Sequence, residues 1–363
     1  MRDSVALVIG NRSYSTFLSY EVDSNVLIPA DAFSCRISSA DADSGLKAGE
    51  RFRLVVNGRL EMSGLIDKVS MQYSKGSQEL RVEGRDLMGL LVDSSVEKWK
   101  TVTEVTLKDL AQRLLKNVPY LDKSDVRYGV EKKDSGVKAK KVKKDETKGG
   151  FGDTSSSVCD YEPGISVFEA LSDHSQRHGL LMWMEPDGVL VFGELKGKNE
   201  PPEFSFYTHK GRERGKNNVI SATLTDDIST RYSRLTVVAQ VQGTDSLGAG
   251  EQTVTKTARD EKFPFKKPLV LQVQCSGEAA ALRQAQWELK KREAEGWRIE
   301  LVAAGHSQGG KNYRANSVCY IKDEALGLDG TYLILGRKFT LDRNDGPRTR
   351  LTIGRLQEGY TVA

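Results

Sequence analysis

Apolar and polar residues alternate along the first part of the chain. Phe33, Cys35 and Ile37 share one phase, as do Leu65, Asp67, Val69, Met71 and Tyr73 further on. A period of two is that of strands with one buried face. Turn residues separate the runs: Asn57-Gly58 tolerates the positive φ of a tight hairpin, and Lys75-Gly76 marks a second turn before Glu79-Leu80-Arg81-Val82. Residues 1–95 are therefore expected to form an antiparallel meander that closes into a small β-barrel.

The period then changes. Leu107, Leu110, Ala111, Leu114 and Leu115 fall at helical spacing, with Thr106 as cap and Pro119 as terminator. A second helix is expected from the capping box Ser166-x-x-Glu169 to Gly179, and a hairpin from Leu180 to Phe192 around Pro186-Asp187-Gly188. Residues 96–215 thus read as an α/β insert. Within it, residues 131–157 are rich in Lys, Gly, Ser, Asp and Thr and nearly free of large apolar side chains, the composition of a mobile loop.

Strand patterning resumes over residues 216–363, read as a second β-barrel. One helix, 277–295, interrupts it, with Ser276 as cap, Gly296 as stop, and Leu282, Ala285 and Leu289 on one face. The expected class is mixed and β-dominated: two antiparallel barrel modules, an α/β insert and one long helix in the second module.

The two strand-rich regions look duplicated. Lys47 to Leu54 resembles Arg314 to Ile321, and Gly58 and Gly64 have the spacing of Gly330 and Gly336. The turns Lys75-Gly76 and Asp345-Gly346 follow, and each copy ends in Gly-Arg, at Gly84-Arg85 and Gly354-Arg355, where the apolar phase slips by one residue. Three chains of two similar modules could surround an axis with pseudo-sixfold symmetry.

Net charge is +4, from 54 basic and 50 acidic residues. Eight lysines against four acids between Glu131 and Lys148 equal that whole excess, so the rest of the chain is balanced and no broad nucleic-acid face is indicated. The lysine-rich stretch reads as a solvated loop, because no aromatic residue interleaves it between Glu131 and Gly150. Cys35, Cys159, Cys275 and Cys319 form no CxxC pair and read as packed thiols. The start lacks an export signal, and the apolar stretch Leu180 to Met184 is far short of a membrane span.

Candidate chemistry is sparse. His174 and His178 have the i,i+4 spacing that can chelate zinc, but Ser175 stands where HExxH has Glu, and both continue the stripe of Val167 and Leu171. Gly305-His306-Ser307-Gln308-Gly309-Gly310 fits neither a nucleophile elbow nor a phosphate loop and reads as a flexible connection. The pairs Asp86 with Asp93 and Asp226 with Asp227 carry no sign of acid-base work. Trp183, Trp287 and Trp297 read as core or subunit-interface packing. No catalytic, cofactor-binding or metal residue is assigned.

Three series of residues resemble the baseplate hub family of contractile phage tails, the Mu-like late tail proteins, related in fold to the base of the type VI secretion spike. They are Val82 to Asp93; Gly164 to Leu171 with Gly179-Leu180-Leu181 and Pro186 to Phe192; and Lys267 to Val270 with Arg283 to Glu288, Arg292, Gly296 and Tyr313 to Asn316. The resemblance implies a structural protein without cofactors or a small-molecule substrate: a homotrimeric ring joining the tail tube to a trimeric spike, made in the host bacterial cytoplasm and placed in the virion baseplate. DNA would meet it only in the ring channel. As Ala363 follows the second barrel directly, the resemblance also implies a needle on a separate polypeptide. The rival reading is a tail-associated metal-dependent cell-wall hydrolase or peptidase centred on His174 and His178; a second is a monomeric nucleic-acid binder using the lysine-rich loop.

Overall fold

The computed structural model describes residues 3–38, 45–75, 77–97, 100–102, 107–121, 126–128, 159–161, 164–177, 180–197, 199–240, 253–274 and 278–356. The first strands are β1 (Val5–Ile9), β2 (Arg12–Tyr14), β3 (Phe17–Asn25), β4 (Ala32–Ser38), β5 (Arg51–Val56), β6 (Arg59–Ser74) and β7 (Ser77–Asp86). The middle comprises α1 (Met88–Asp93), β8 (Lys100–Val102), α2 (Leu107–Leu115), β9 (Val126–Tyr128), β10 (Cys159–Tyr161), α3 (Val167–Arg177), β11 (Leu181–Met184) and β12 (Leu190–Gly193). Then follow β13 (Phe204–Thr208), β14 (Val219–Asp226), β15 (Arg234–Gln240), β16 (Thr253–Arg259), β17 (Pro268–Gln274), α4 (Glu278–Gly296) and β18 (Trp297–Ala304). The chain ends in β19 (Ser307–Gln308), β20 (Lys311–Asn312), β21 (Ser317–Asp323), β22 (Leu328–Asp342) and β23 (Gly346–Arg355).

The fold is mostly β, and its sheets are largely antiparallel, as alternation with tight turns requires. One sheet runs β14-β18-β23-β22-β3-β4-β7-β6-β5-β1-β2, with β21 pairing β22 and β13 pairing β21. Its strands share one core, from Leu7, Phe33 and Phe52 in the first half to Phe206, Phe339 and Ile353 in the second. Among the described residues the sheet stays open, with β14 at one end, rather than closing into separate barrels.

Duplication is visible in the strand order. The first half runs β3-β4-β7-β6-β5 and the second β14-β18-β23-β22-β21, the same sequence of neighbours, all antiparallel. Irregularities coincide too. The first strand of each unit bulges near its start, between Phe17 and Ser19 and between Val219 and Ser221. The long hairpin of each bulges between Ile66 and Lys68 and between Ile334 and Gly336. This frame corrects the glycine matches. Gly58 sits in the β5–β6 turn with φ +74°, whereas Gly330 lies inside β22 opposite Ile321. Gly64 precedes its bulge and Gly336 follows its own, and Gly84 corresponds to Ile353, which is the origin of the one-residue slip.

The insert begins where β7 ends. Its core joins Leu107, Leu110, Ala111, Leu114 and Leu115 of α2 to Val167, Ala170 and Leu171 of α3 and to Leu190 and Phe192 of β12. The capping box of α3 is formed: Ser166 N–H donates to Glu169 Oε2 at 3.0 Å and Glu169 N–H to Ser166 Oγ at 3.0 Å. β11 and β12 make the expected hairpin, with β9 parallel to β12. The expected caps Thr106 and Ser276 and the lysine-rich stretch lie outside the described residues.

A small sheet, β16-β15-β17, carries α4. The buried stripe of α4 differs from the one read in sequence. Ala281 and Ala285 are fully buried against Leu235 and Val237, with Leu289 packed beside them, while Leu282 is exposed. Small side chains let the helix approach the sheet closely, and Leu282 points away from that contact.

Candidate assembly site and buried polar seam

At its bulge β22 changes partner. Residues Leu328 to Ile334 pair with β21, whereas Gly336 to Leu341 pair with β3, joining the second half of the molecule to the first. Arg337 lies in this junction, 3% exposed. It donates through Nη2 to Glu61 Oε2 at 2.9 Å and through Nη1 to the Val22 carbonyl at 3.2 Å, and its guanidinium lies 4.1 Å from the centre of the Phe339 ring. Glu61 also accepts from Asn312 Nδ2 at 2.6 Å, and the same amide donates to the Val56 carbonyl at 2.8 Å. Asn57 Nδ2 then reaches Asn312 Oδ1 at 3.0 Å and Asp3 Oδ1 at 2.9 Å. A buried charge is tolerated only when paired and hydrogen-bonded, so this set fixes the relative position of the two halves.

His306 extends the seam. It is fully buried, with Nε2 2.6 Å from the Tyr20 hydroxyl and Nδ1 3.2 Å from Thr349 Oγ1. Thr349 spends its own proton on the Gly305 carbonyl at 2.5 Å. It must therefore accept from Nδ1–H, which leaves Nε2 bare to accept from Tyr20. The neutral tautomer satisfies every group, and burial lowers the His306 pKa to about 4 while raising that of Tyr20.

A cavity of about 340 Å³ opens where both halves meet the insert, lined among others by Asp31, Asp86, Arg337, Trp183, Glu194 and Arg314. Asp86 Oδ1 accepts from Met88 N–H at 3.0 Å at the start of α1, and Asp31 Oδ1 accepts from Asn25 N–H at 2.9 Å. Burial pushes Asp31 up to about 6, with the nearby Arg337 opposing; burial and then the charge of Asp31 raise Asp86 well above the carboxylate range. Burial also raises Glu194. These carboxylates lie where both halves of the molecule meet the insert. Among the described residues, His, Cys, Asp and Glu side chains form no group of three or more suited to hold a metal.

The side chains weighed in the sequence scatter. His174 is fully buried on α3, and His178 lies outside the described residues. The segment around His306, read as a flexible connection, is an ordered hairpin of β19 and β20 whose Gln308 bonds Ser205 on both its N–H and carbonyl. Its two glycines at the turn, Gly309 and Gly310, have φ of +58° and +77°. Trp287 and Trp297 are buried, and Trp183 Nε1 donates to Glu185 at 3.0 Å. Arg85, rather than Asp86, engages Asp93, at 2.6 Å, and it also pairs with Asp67 at 2.8 Å. Sequence reasoning missed Arg337 and Glu61, and it read His306 only as part of a flexible connection. One signal was present: Arg337 shares the strand phase of Phe339 and Leu341, and a charge on a buried phase needs a buried partner.

Known proteins share this architecture. Residues 4–86 match the family model described as Mu phage baseplate assembly protein GpP-like, N-terminal. The chain is 22% identical over 384 aligned positions to the baseplate hub protein gp44 of Escherichia phage Mu, covering 100% of this chain and 90% of that one. The crystal structure of a tail protein from Neisseria meningitidis superposes with TM-score 0.79 at 27% identity, covering 99% of this chain and 98% of that one. An E. coli component of the type VI secretion system, described as similar to the T4 tail proteins gp27 and gp5, shares the fold with TM-score 0.54 at 10% identity, covering 98% and 79%. Residues 4–86 thus match the Mu baseplate GpP-like N-terminal model, and over its whole length the chain is similar to Mu-type baseplate and tail proteins and shares its fold with a component of the type VI secretion system.

Proposed function

We propose that the protein is the structural hub of a contractile tail baseplate, a homotrimer whose ring joins the tail tube to a trimeric spike. The observation that carries this reading is the duplicated five-strand unit with matching bulges. Two equivalent units in each of three chains give six near-equivalent positions around a threefold axis, which fits a sixfold partner on one side and a threefold partner on the other. In this reading the strands before α1 and those from β13 onward build the ring modules, each completing its barrel wall against neighbours, and the segment between them forms a lateral insert.

The two ends of the sheet differ in the way such an adaptor needs. Both long hairpins point the same way: the Leu341 end of β22 lies beside Tyr20, Phe17 pairs with Ile37, and Ser38 pairs with Glu79 at the start of β7. The insert leaves from the opposite end, after Asp86. Hairpin tips therefore occur twice per chain and the insert once. The tip end suits the tube and the insert end the spike. The work is mechanical, holding partners in register during contraction, without catalysis or a cofactor. Synthesis in the host cytoplasm and incorporation into the tail belong to the same reading. Electron-microscope class averages of the isolated protein test it: rings with threefold symmetry and six similar lobes are expected, and single-chain particles at all concentrations would refute it.

A further inference from the structure

The junction between β22 and β3 joins the two units inside one chain, and the same two kinds of edge are left open elsewhere. In the first unit, the tip half of β6, from Lys68 to Ser74, pairs only with β7 among the described residues. In the second, β14 pairs only with β18 and ends the sheet. β6 is the counterpart of β22, and β14 is the counterpart of β3. Open edges of this kind are templates for further strand pairing.

The side chains on these edges agree. Counting from the shared bulges, Met71 corresponds to Phe339 and Tyr73 to Leu341. Phe339 is fully buried in the intrachain junction, while Met71 is 43% and Tyr73 86% exposed. On the other edge Leu224 corresponds to Val22 and Ala222 to Tyr20, both counterparts buried in the junction, whereas Leu224 and Ala222 remain only partly covered. Asp227 corresponds to Asn25, and the two make the same local turn, each accepting through Oδ1 from the N–H two residues on, Ser229 at 2.7 Å and Leu27 at 2.9 Å. Transferring the register Gly336↔Asn25 through Leu341↔Tyr20 sets Lys68 opposite Asp227, Met71 opposite Leu224 and Tyr73 opposite Ala222. Opposite charges meet at one end and apolar groups at the other.

We infer that the tip half of β6 pairs antiparallel with β14 of a second copy of this chain, repeating between chains the β22–β3 junction within it. The contact is head-to-tail, so it propagates until it closes, and three chains close it with four strands from each of six units. This rests on the trimeric hub reading and adds the residues that make the ring.

The test is a cysteine pair. Antiparallel neighbours have Cα atoms about 4.5–5.5 Å apart, inside the range of a disulfide. The full chain carrying Met71→Cys and Leu224→Cys, oxidised mildly, is expected to run as covalent dimers and trimers on a non-reducing gel. Reductant should return it to one chain, and either single variant should stay unlinked. Because Leu224 packs partly on the core, Tyr73→Cys with Ala222→Cys provides a second pair at the adjacent same-face position. A protein that is trimeric by light scattering while neither pair links would overturn this inference and leave the hub reading standing. A protein that stays monomeric by light scattering would remove both.

Discussion

The two duplicated units have the same strand order and the same bulges, but their hairpins face different fates. The tip half of β22 is covered by β3, and Phe339 there is buried; the tip half of β6 is uncovered, and Met71 at the same place is exposed. A position's energetic role thus depends on what occupies the neighbouring edge and not on the strand itself. One edge is satisfied in folding. The other is left for assembly.

Truncating both counterparts separates the two roles. Phe339→Ala should lower the unfolding free energy by about 4 kcal/mol, because a large buried ring leaves a cavity. Met71→Ala should hardly move the unfolding of the single chain but should shift the monomer–trimer balance toward monomer. Urea titration at low protein concentration, paired with sedimentation, reads both effects. Equal losses of stability would contradict the assigned roles.

Next in size is the seam. Glu61→Ala strands the Arg337 guanidinium in a site only 3% exposed and should cost about 3 to 4 kcal/mol. If Glu61→Ala unfolds at the same denaturant concentration as the parent, the seam does not join the halves.

A smaller effect follows from pH. His306 has a folded pKa near 4 against 6.5 unfolded, so its stabilising contribution is full above pH 6.5 and is lost as pH falls toward 4, up to about 3 kcal/mol in all. Asp31 acts in the opposite sense. Its folded pKa near 6 lies above the ordinary 3.8, so its contribution is full below pH 3.8 and is lost as pH rises through 6. Asp86, shifted the same way, adds to that slope. His306→Gln should therefore lose less stability than the parent as pH falls from 6.5 to 4, and Asp31→Asn should lose less than the parent as pH rises from 3.8 to 6. Parallel profiles for the two variants would contradict the assignment.

The smallest effect lies in the insert, away from both edges. Ser166→Ala removes the capping box of α3 and should cost about 1 kcal/mol without changing assembly.

Much of this fold was legible along the chain, because local chemistry dictates local structure. The stripe of α2, the capping box of α3, the Pro186-Asp187-Gly188 hairpin and the strand alternation all appear where the residues require them. What the chain hid was long-range. Whether β6 and β22 close small barrels or join one sheet depends on pairing between residues some three hundred positions apart, as Leu341 with Tyr20, and alternation carries no record of its partner. Leu282 misled because a leucine at helical spacing looks like core, while the sheet under α4 accepts only Ala281 and Ala285 at close range. The repeat was visible through turns, but its glycines were aligned by spacing and not by bulges. The assembly edge escaped notice because Met71 and Tyr73 fit an ordinary one-faced strand, and only the covered state of Phe339 shows that their exposure is unusual.

Molar mass by light scattering across a range of protein concentrations tests the hub account most directly. The account requires a species with three times the mass of one chain, persisting on dilution and converted to single chains when Met71 and Tyr73 are both changed to Arg. A parent protein with the mass of one chain at every concentration would contradict it.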